Sequence, residues 1–169
     1  HHALLFKDMD GLEILLLANN HRNTPNAWRK NPYTDIPEAY QILGMGPVEL
    51  RLRDIQPTLH FLKNDLRYSL RENVDETVLT LDSDGLYTDF VLVEEQGSRA
   101  RPGQGYVHHI AVNTPNDSDL YAVLDTINHN PGNHSGIIDR YFFKSLYYRH
   151  NNIMFEFATA APGFTVDTA

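Results

Sequence analysis

The sequence predicts an α+β fold of two βαβββ modules, whose sheets pair into a curved, open barrel with the helices outside and a cleft inside. Three observations carry this expectation. The order strand, helix, strand, strand, strand is read twice, over about 44–94 and about 105–160, an internal repeat of architecture although the two halves share little sequence. Several of the strands alternate apolar and polar residues with period two, as a sheet with one buried face requires. A Pro- and Asn-rich connection separates this pair of modules from a short N-terminal hairpin.

Taken in order, Ala3 to Lys7 reads as a strand, Asp8-Met9-Asp10-Gly11 as a turn and Leu12 to Leu17 as a second strand. This is expected to be the terminal hairpin of a truncated N-terminal domain, 1–17. Residues 18–40 hold Asn19, Asn20, Asn23, Pro25, Asn26, Asn31, Pro32 and Pro37 and read as an interdomain linker without regular structure, pinned by Trp28. The C-terminal domain, 41–169, then begins. Val48 to Arg53 alternates cleanly and is a strand. Asp54 stands at a helix cap, Pro57 lies in the first turn, and Leu59, Phe61, Leu62 and Leu66 give an apolar face through about Asp65. Arg67 to Arg71, Glu76 to Leu81 and Tyr87 to Val93 are three further strands, with Asp82-Ser83-Asp84-Gly85 as a turn.

The second module opens with the strand Tyr106 to Asn113. A helix starts at Pro115-Asn116-Asp117-Ser118 and runs to about Asn128, with Leu120, Val123, Leu124 and Ile127 at helical spacing; Asn130-Pro131-Gly132 stops it. Strands follow near Ser135 to Asp139, Phe143 to Arg149 and Asn152 to Thr159. The tail from Thr165 is expected to be loosely held.

Composition narrows the function. The chain has 169 residues, 41% hydrophobic and 21% charged, enough for one domain with a real core. Its net charge of -8, with Arg51, Arg53, Arg99 and Arg101 scattered, argues against a nucleic-acid partner. Cysteine is absent, which excludes disulfides, thiol catalysis and Cys-ligated zinc. No apolar run is long enough to span a membrane and no signal peptide is read at the start, so a cytoplasmic setting is the expectation.

Two features stand out from the strand patterns. His108-His109 lies in one strand, and Glu156 sits inside an otherwise apolar one. Strand phase puts His109 and Ala111 on one face, opposite His108, Ile110 and Val112. It puts Met154, Glu156 and Ala158 on one face, opposite Ile153, Phe155 and Phe157. A carboxylate in a central strand is costly unless it is paired or bound to a cation. One imidazole nitrogen and one carboxylate oxygen form a partial ligand set for Fe(II), Mn(II) or Zn(II). His109 as a structural histidine, His108 as the ligand instead, and Glu156 paired with Arg149 or Arg140 remain open at this level. Tyr147 is placed to donate to a bound oxygen. Glu49 and Arg51 either line the same interior or form a salt-bridged sheet face.

The string Gly105-Tyr106-Val107-His108-His109-Ile110-Ala111-Val112 resembles the "G-x-V-H-H-I-A-F" strand of a known family. Ile138 to Arg149 resembles its "D-R-x-Y-F-x-S-I-Y-F-R", and Ile153 to Thr159 followed by Pro162-Gly163-Phe164 resembles its "I-L-F-E-I-A-T-D-x-P-G-F". Residues 6–17 resemble the "F-x-D-P-D-G-L-x-L-E-L" that ends the family's N-terminal domain. The family is the glyoxalase/bleomycin-resistance/extradiol dioxygenase (vicinal oxygen chelate) superfamily, in its ring-cleaving, hydroquinone-type dioxygenase branch. The resemblance implies Fe(II) or Mn(II) held by two His and one Glu. It assigns His109 and Glu156 as metal ligands, and His108, Arg140 and Tyr147 as catalytic candidates for proton handling and anion stabilisation. The remaining His would come from the N-terminal domain, so the fragment alone is expected to lack activity and to hold its metal weakly or not at all. A small aromatic diol and O2 are the implied substrates, with homo-oligomerisation left open. Arg149-His150-Asn151-Asn152-Ile153 departs from the family's "R-E-P-x-G-I", being one residue shorter and lacking Pro and Gly. A glyoxalase-like isomerase or lyase and a non-enzymatic small-ligand-binding protein are the alternative readings.

Overall fold

A computed structural model of the chain describes residues 3–18, 30–71, 77–81 and 87–168. His1-His2, Trp28 and the turn expected at Asp82 to Gly85 lie outside the described residues. The chain divides into two compact units, 1–55 with 62–97, and 56–61 with 98–169.

In the first unit, β1 (Ala3–Lys7) and β2 (Glu13–Leu17) pair antiparallel as the expected hairpin. The Asp8 carboxylate accepts from the amides of Asp10 and Leu12, both at 2.9 Å, and fixes the turn. The polar stretch that follows contains one short 3-10 turn, Glu38–Tyr40. The Gln41 side chain ties it together, bonding both backbone groups of Asn31 and the carbonyl of Ile36.

Strands β3 (Val48–Leu52), β4 (Ser69–Leu70), β5 (Val78–Thr80) and β6 (Phe90–Glu94) form a mixed sheet in the order β3-β6-β5-β4, with β3 parallel to β6. The alternation of β3 is realised: Leu50 and Leu52 are buried while Glu49 and Arg51 are exposed. The strand expected over 67–71 shrinks to two residues. Arg67 has φ +61, and the Tyr68 amide turns back to the Leu62 carbonyl at 2.8 Å to close the preceding helical stretch. That stretch is α1 (Gln56–His60) followed by a π-helical turn, Phe61–Asp65.

In the second unit, β7 (Ile110–Thr114), α2 (Asp117–Ile127), β8 (Asn133–Asp139), β9 (Lys144–His150) and β10 (Ile153–Thr159) repeat the order. Their sheet runs β7-β10-β9-β8, with β7 parallel to β10, the same topology as the first. Both βαβββ modules are therefore present. Each sheet is mixed and open, ending in edge strands. The strong curling expected of a barrel is not seen within either sheet: among the described residues no pairing closes the first strand onto the last.

Asn116 caps α2 by accepting from the Asp119 amide at 3.0 Å, and Asp117 and Asp119 lie in the first turn, where the helix dipole favours them. Leu120 and Ile127 from α2, Leu146 and Tyr148 from β9, and Phe155 and Phe157 from β10 are buried together with Phe61. Phe61 lies against the rings of His150 (4.7 Å), Tyr148 (5.4 Å) and Phe155 (5.5 Å). The tail is more ordered than expected: Phe164–Thr168 forms a 3-10 turn, and the Phe164 ring packs on Phe142 at 5.0 Å.

Two local departures bear on the site. The strand expected from Tyr106 begins only at Ile110, because the ladder with β10 starts at the pair Ile110–Phe155. His108 and His109 therefore extend ahead of the strand end. The short β9–β10 connection is a two-residue turn, with Asn151 at φ +47 and Asn152 at φ +65. Left-handed backbone at both positions is what tight hairpins need, and Asn accepts it better than other side chains. The turn keeps an unbroken register from His150–Ile153 to Tyr147–Glu156, so the missing Pro and Gly do not displace Glu156 along its strand.

Candidate functional site

Glu156 pairs with Ala111 on one side and Tyr147 on the other, in the middle of the second sheet. Residues that pair across strands share a face. One face therefore carries Ala111 and Asn113 from β7, Met154, Glu156 and Ala158 from β10, and Ser145, Tyr147 and Arg149 from β9. Phe155, Phe157, Leu146, Tyr148 and His150 occupy the opposite, core face and are buried.

His109 stands two residues before Ala111 and so shares its phase. Its Nε2 lies 2.9 Å from Glu156 Oε2. Glu156 is buried, at 5% exposure, and its other carboxylate oxygen, Oε1, has no hydrogen-bond partner. His108 is exposed, and its Nδ1 lies 2.9 Å from His109 Nδ1. With this contact on one ring nitrogen and Glu156 on the other, the His109 imidazole is held at both ends.

Tyr147 packs edge-on against His109, with ring centroids 5.7 Å apart, and the Arg140 guanidinium lies over the Tyr147 ring at 5.7 Å. Burial raises the pKa of the Tyr147 hydroxyl, and the Glu156 carboxylate raises it further; Arg140 and Ser145 oppose them. The phenol therefore stays protonated at neutral pH and can act as a donor. Ser145, to which the sequence assigned no role, is fully buried on the same face, and its hydroxyl has no hydrogen-bond partner. A serine inside a strand gives no sign of this in sequence, because its burial depends on what the sheet packs against.

The structure thus brings His108, His109, Arg140, Tyr147 and Glu156 into one cluster. Arg149 is not the partner of Glu156. Among the described residues, no group of three or more His, Cys, Asp or Glu side chains gathers as a metal cage. Glu49 and Arg51 form a salt-bridged face of the first sheet: Arg51 pairs with Glu49 (2.7 Å), Glu13 (3.2 Å) and Glu95 (3.5 Å).

The two sheets can be compared pair by pair. Val48–Phe90 opens the parallel ladder of the first as Ile110–Phe155 opens that of the second. In this correspondence Glu156 matches Val91, Tyr147 matches Val78, and His109 matches Pro47. The first module repeats the framework with no group that could ligate or donate at these places.

No protein-family model matches the chain. It is 37% identical over 172 residues to a Bacillus subtilis (strain 168) protein named "Putative ring-cleaving dioxygenase MhqA", covering 97% of this chain and 54% of that one. It is 32% identical over 169 residues to "Putative ring-cleaving dioxygenase MhqE" of the same organism, covering 98% and 53%. The chain belongs to the vicinal oxygen chelate superfamily, in its ring-cleaving dioxygenase branch. It corresponds to the C-terminal-like domain of that branch, and it spans about half the length of the curated relatives it matches. A crystal structure of a "putative dioxygenase" from Bacillus subtilis shares the superfamily fold at a TM-score of 0.75 and 20% identity, covering 98% of this chain and 56% of that one. A glyoxylase/bleomycin resistance protein/dioxygenase domain from Frankia sp. EAN1pec shares it at a TM-score of 0.55 and 18% identity, covering 76% and 100%. No described helix is long and apolar enough to cross a membrane.

Proposed function

We propose that this chain supplies two of the ligands, and the proton-handling wall, of a divalent-metal centre in an extradiol-type ring-cleaving dioxygenase acting on a hydroquinone or catechol. The observation that carries the reading is the His109–Glu156 pair, with its buried, unpartnered carboxylate oxygen, in a chain of this branch. The donor set fits such a cation. An imidazole nitrogen and a carboxylate oxygen, His109 Nε2 and Glu156 Oε2, face each other at 2.9 Å, and both are ligand types that Fe(II) and Mn(II) accept. A third protein ligand would come from residues outside those described, in agreement with the share of the relatives' length that the chain covers.

Bound Fe(II) or Mn(II) would supply Lewis-acid and redox chemistry toward the diol and O2. The chain's own groups have separate tasks. His109 and Glu156 hold the ion, and His108 steadies the far nitrogen of His109. The protonated Tyr147 hydroxyl donates to a substrate oxygen, and the Arg140 cation stabilises negative charge developing there. Anaerobic Fe(II) loading of the natural full-length protein, followed by oxygen uptake with a panel of hydroquinones and catechols, tests the proposal. Uptake with at least one diol is expected; none with any of them, despite bound iron, overturns it. This chain by itself is expected to take up Mn(II) weakly through His109 and Glu156 and to consume no oxygen.

A further inference from the structure

Two buried polar atoms on the site face have no partner: Ser145 Oγ and Glu156 Oε1. Buried polar groups are nearly always hydrogen-bonded, so each such atom needs an explanation, and two on one face of adjacent strands invite a common one. Ser145 pairs with Ala158 and Tyr147 with Glu156, which makes Ser145 and Glu156 diagonal neighbours. Diagonal neighbours across an antiparallel pair are about 7 Å apart at the backbone. A one-carbon hydroxyl and a two-carbon carboxylate then stop short of each other by roughly the width of one water, which bridges two such groups well. The hydroxyl can donate or accept while the ionised carboxylate only accepts, so a water between them can donate to Glu156 and bond Ser145 in either sense.

We infer that Ser145 is a positioning residue of this centre, holding a bound water that satisfies Glu156 Oε1 and keeps Oε2 turned toward His109. Without it, Oε1 gains by swinging toward another donor, and the carboxylate loses the orientation in which Oε2 and His109 Nε2 face a common point. The effect on a metal rests on the metal-centre reading; the Ser145–Glu156 coupling does not.

The test uses Ser145→Thr and Ser145→Val, which add nearly the same volume and differ in the hydroxyl. Mn(II) binding is followed by loss of the free-ion electron paramagnetic resonance signal. Ser145→Val is expected to bind Mn(II) about 3- to 10-fold more weakly than Ser145→Thr, a loss that reaches only the lower limit of what removing a group that orients a ligand directly costs, because Ser145 acts through a water. Equal affinities overturn the inference, because a purely structural residue would respond to the added volume alone. A metal-free cycle reads the same coupling through melting temperature, with Ser145→Ala, Glu156→Met and the double variant, since methionine can bond no water. Ser145→Ala should lower the melting temperature of the wild type and leave Glu156→Met nearly unchanged. If removing the hydroxyl is neutral or stabilising in both backgrounds, the serine bridges nothing. Tyr147→Phe is the control: if it reproduces the whole loss of Mn(II) affinity while Ser145→Ala has none, Tyr147 rather than Ser145 serves Oε1 and the inference falls. If the wild type fails to bind Mn(II), the metal-centre reading falls, and the melting cycle still decides the role of Ser145.

Discussion

Replacing Glu156 with methionine should raise the stability of the metal-free protein while removing its affinity for divalent cations. The carboxylate is 5% exposed, and one of its oxygens is paired with His109. Taking a carboxylate out of water costs several kcal/mol, and replacing a buried charged pair by an apolar side chain of similar volume is often neutral or stabilising, by about 1–4 kcal/mol. Methionine fills a similar volume without polar oxygens and sits beside Met154 and Ala158 on a strand whose other face carries Ile153, Phe155 and Phe157. The change also removes the contact to His109. That side chain is 35% exposed, so water can replace the lost partner, and a pair open to solvent on one side is worth about 0–1 kcal/mol. The balance is a gain of about 1–2 kcal/mol. For a protein of this size that raises the melting temperature by about 2–8 °C. Calorimetry in the presence of a chelator measures the gain, and Mn(II) titration measures the lost binding. A fall of several degrees in the chelated protein would refute the reasoning, because the contacts of Glu156 would then outweigh the cost of taking its charge out of water.

Three other outcomes follow from the same kind of argument. Burial, helped by the nearby Asp89 carboxylate, pushes the Tyr68 hydroxyl up to about 12. Its folded pKa is above the unfolded value, so that contribution is complete below pH 10 and disappears as pH climbs toward 12. About 2–3 kcal/mol should be lost across that window in denaturant titrations, and Tyr68→Phe should flatten the loss. Arg71 makes a two-pronged ion pair with Asp89 (2.6 and 2.8 Å), whose side chain is 2% exposed. Arg71→Met should cost about 3–5 kcal/mol by stranding that charge, and adding Asp89→Leu should restore most of it; no recovery would show that the charge was not the cause. Gly132 has φ +139, and a Cβ there would stand 2.7 Å from the Arg149 carbonyl oxygen, so Gly132→Ala should destabilise by about 1–3 kcal/mol in chemical denaturation.

What could be read in advance was periodicity. Alternation alone separates Glu156 from Phe155 and Phe157, and it puts His109 in phase with Ala111. Phase survives even where the strand is shorter than its pattern, as at Tyr106 to His109, because extended chain keeps its alternation beyond the ladder. Strand ends were not legible in the same way. They depend on where a partner strand starts and stops, as at Ile110, or on one left-handed residue, as at Arg67. The Asn151-Asn152 turn departs from the Pro- and Gly-containing pattern that the resemblance implied, yet two asparagines at positive φ close the hairpin, and this follows from asparagine's tolerance rather than from any motif. Ser145 was invisible because solvent exclusion is a property of the assembled sheet. The barrel was an extrapolation from the repeated order, and order fixes which strands pair but not how far a sheet curls.

Residues 56–61 lie, in sequence, inside the first repeat, but they pack as part of the second unit, where the Phe61 ring meets Tyr148, His150 and Phe155 and the Thr58 hydroxyl accepts from Asn151. The unit that is repeated along the chain is therefore not the unit that is packed. A copy of the second module cut at the repeat boundary would leave behind an aromatic plug and a hydrogen bond to its own hairpin turn.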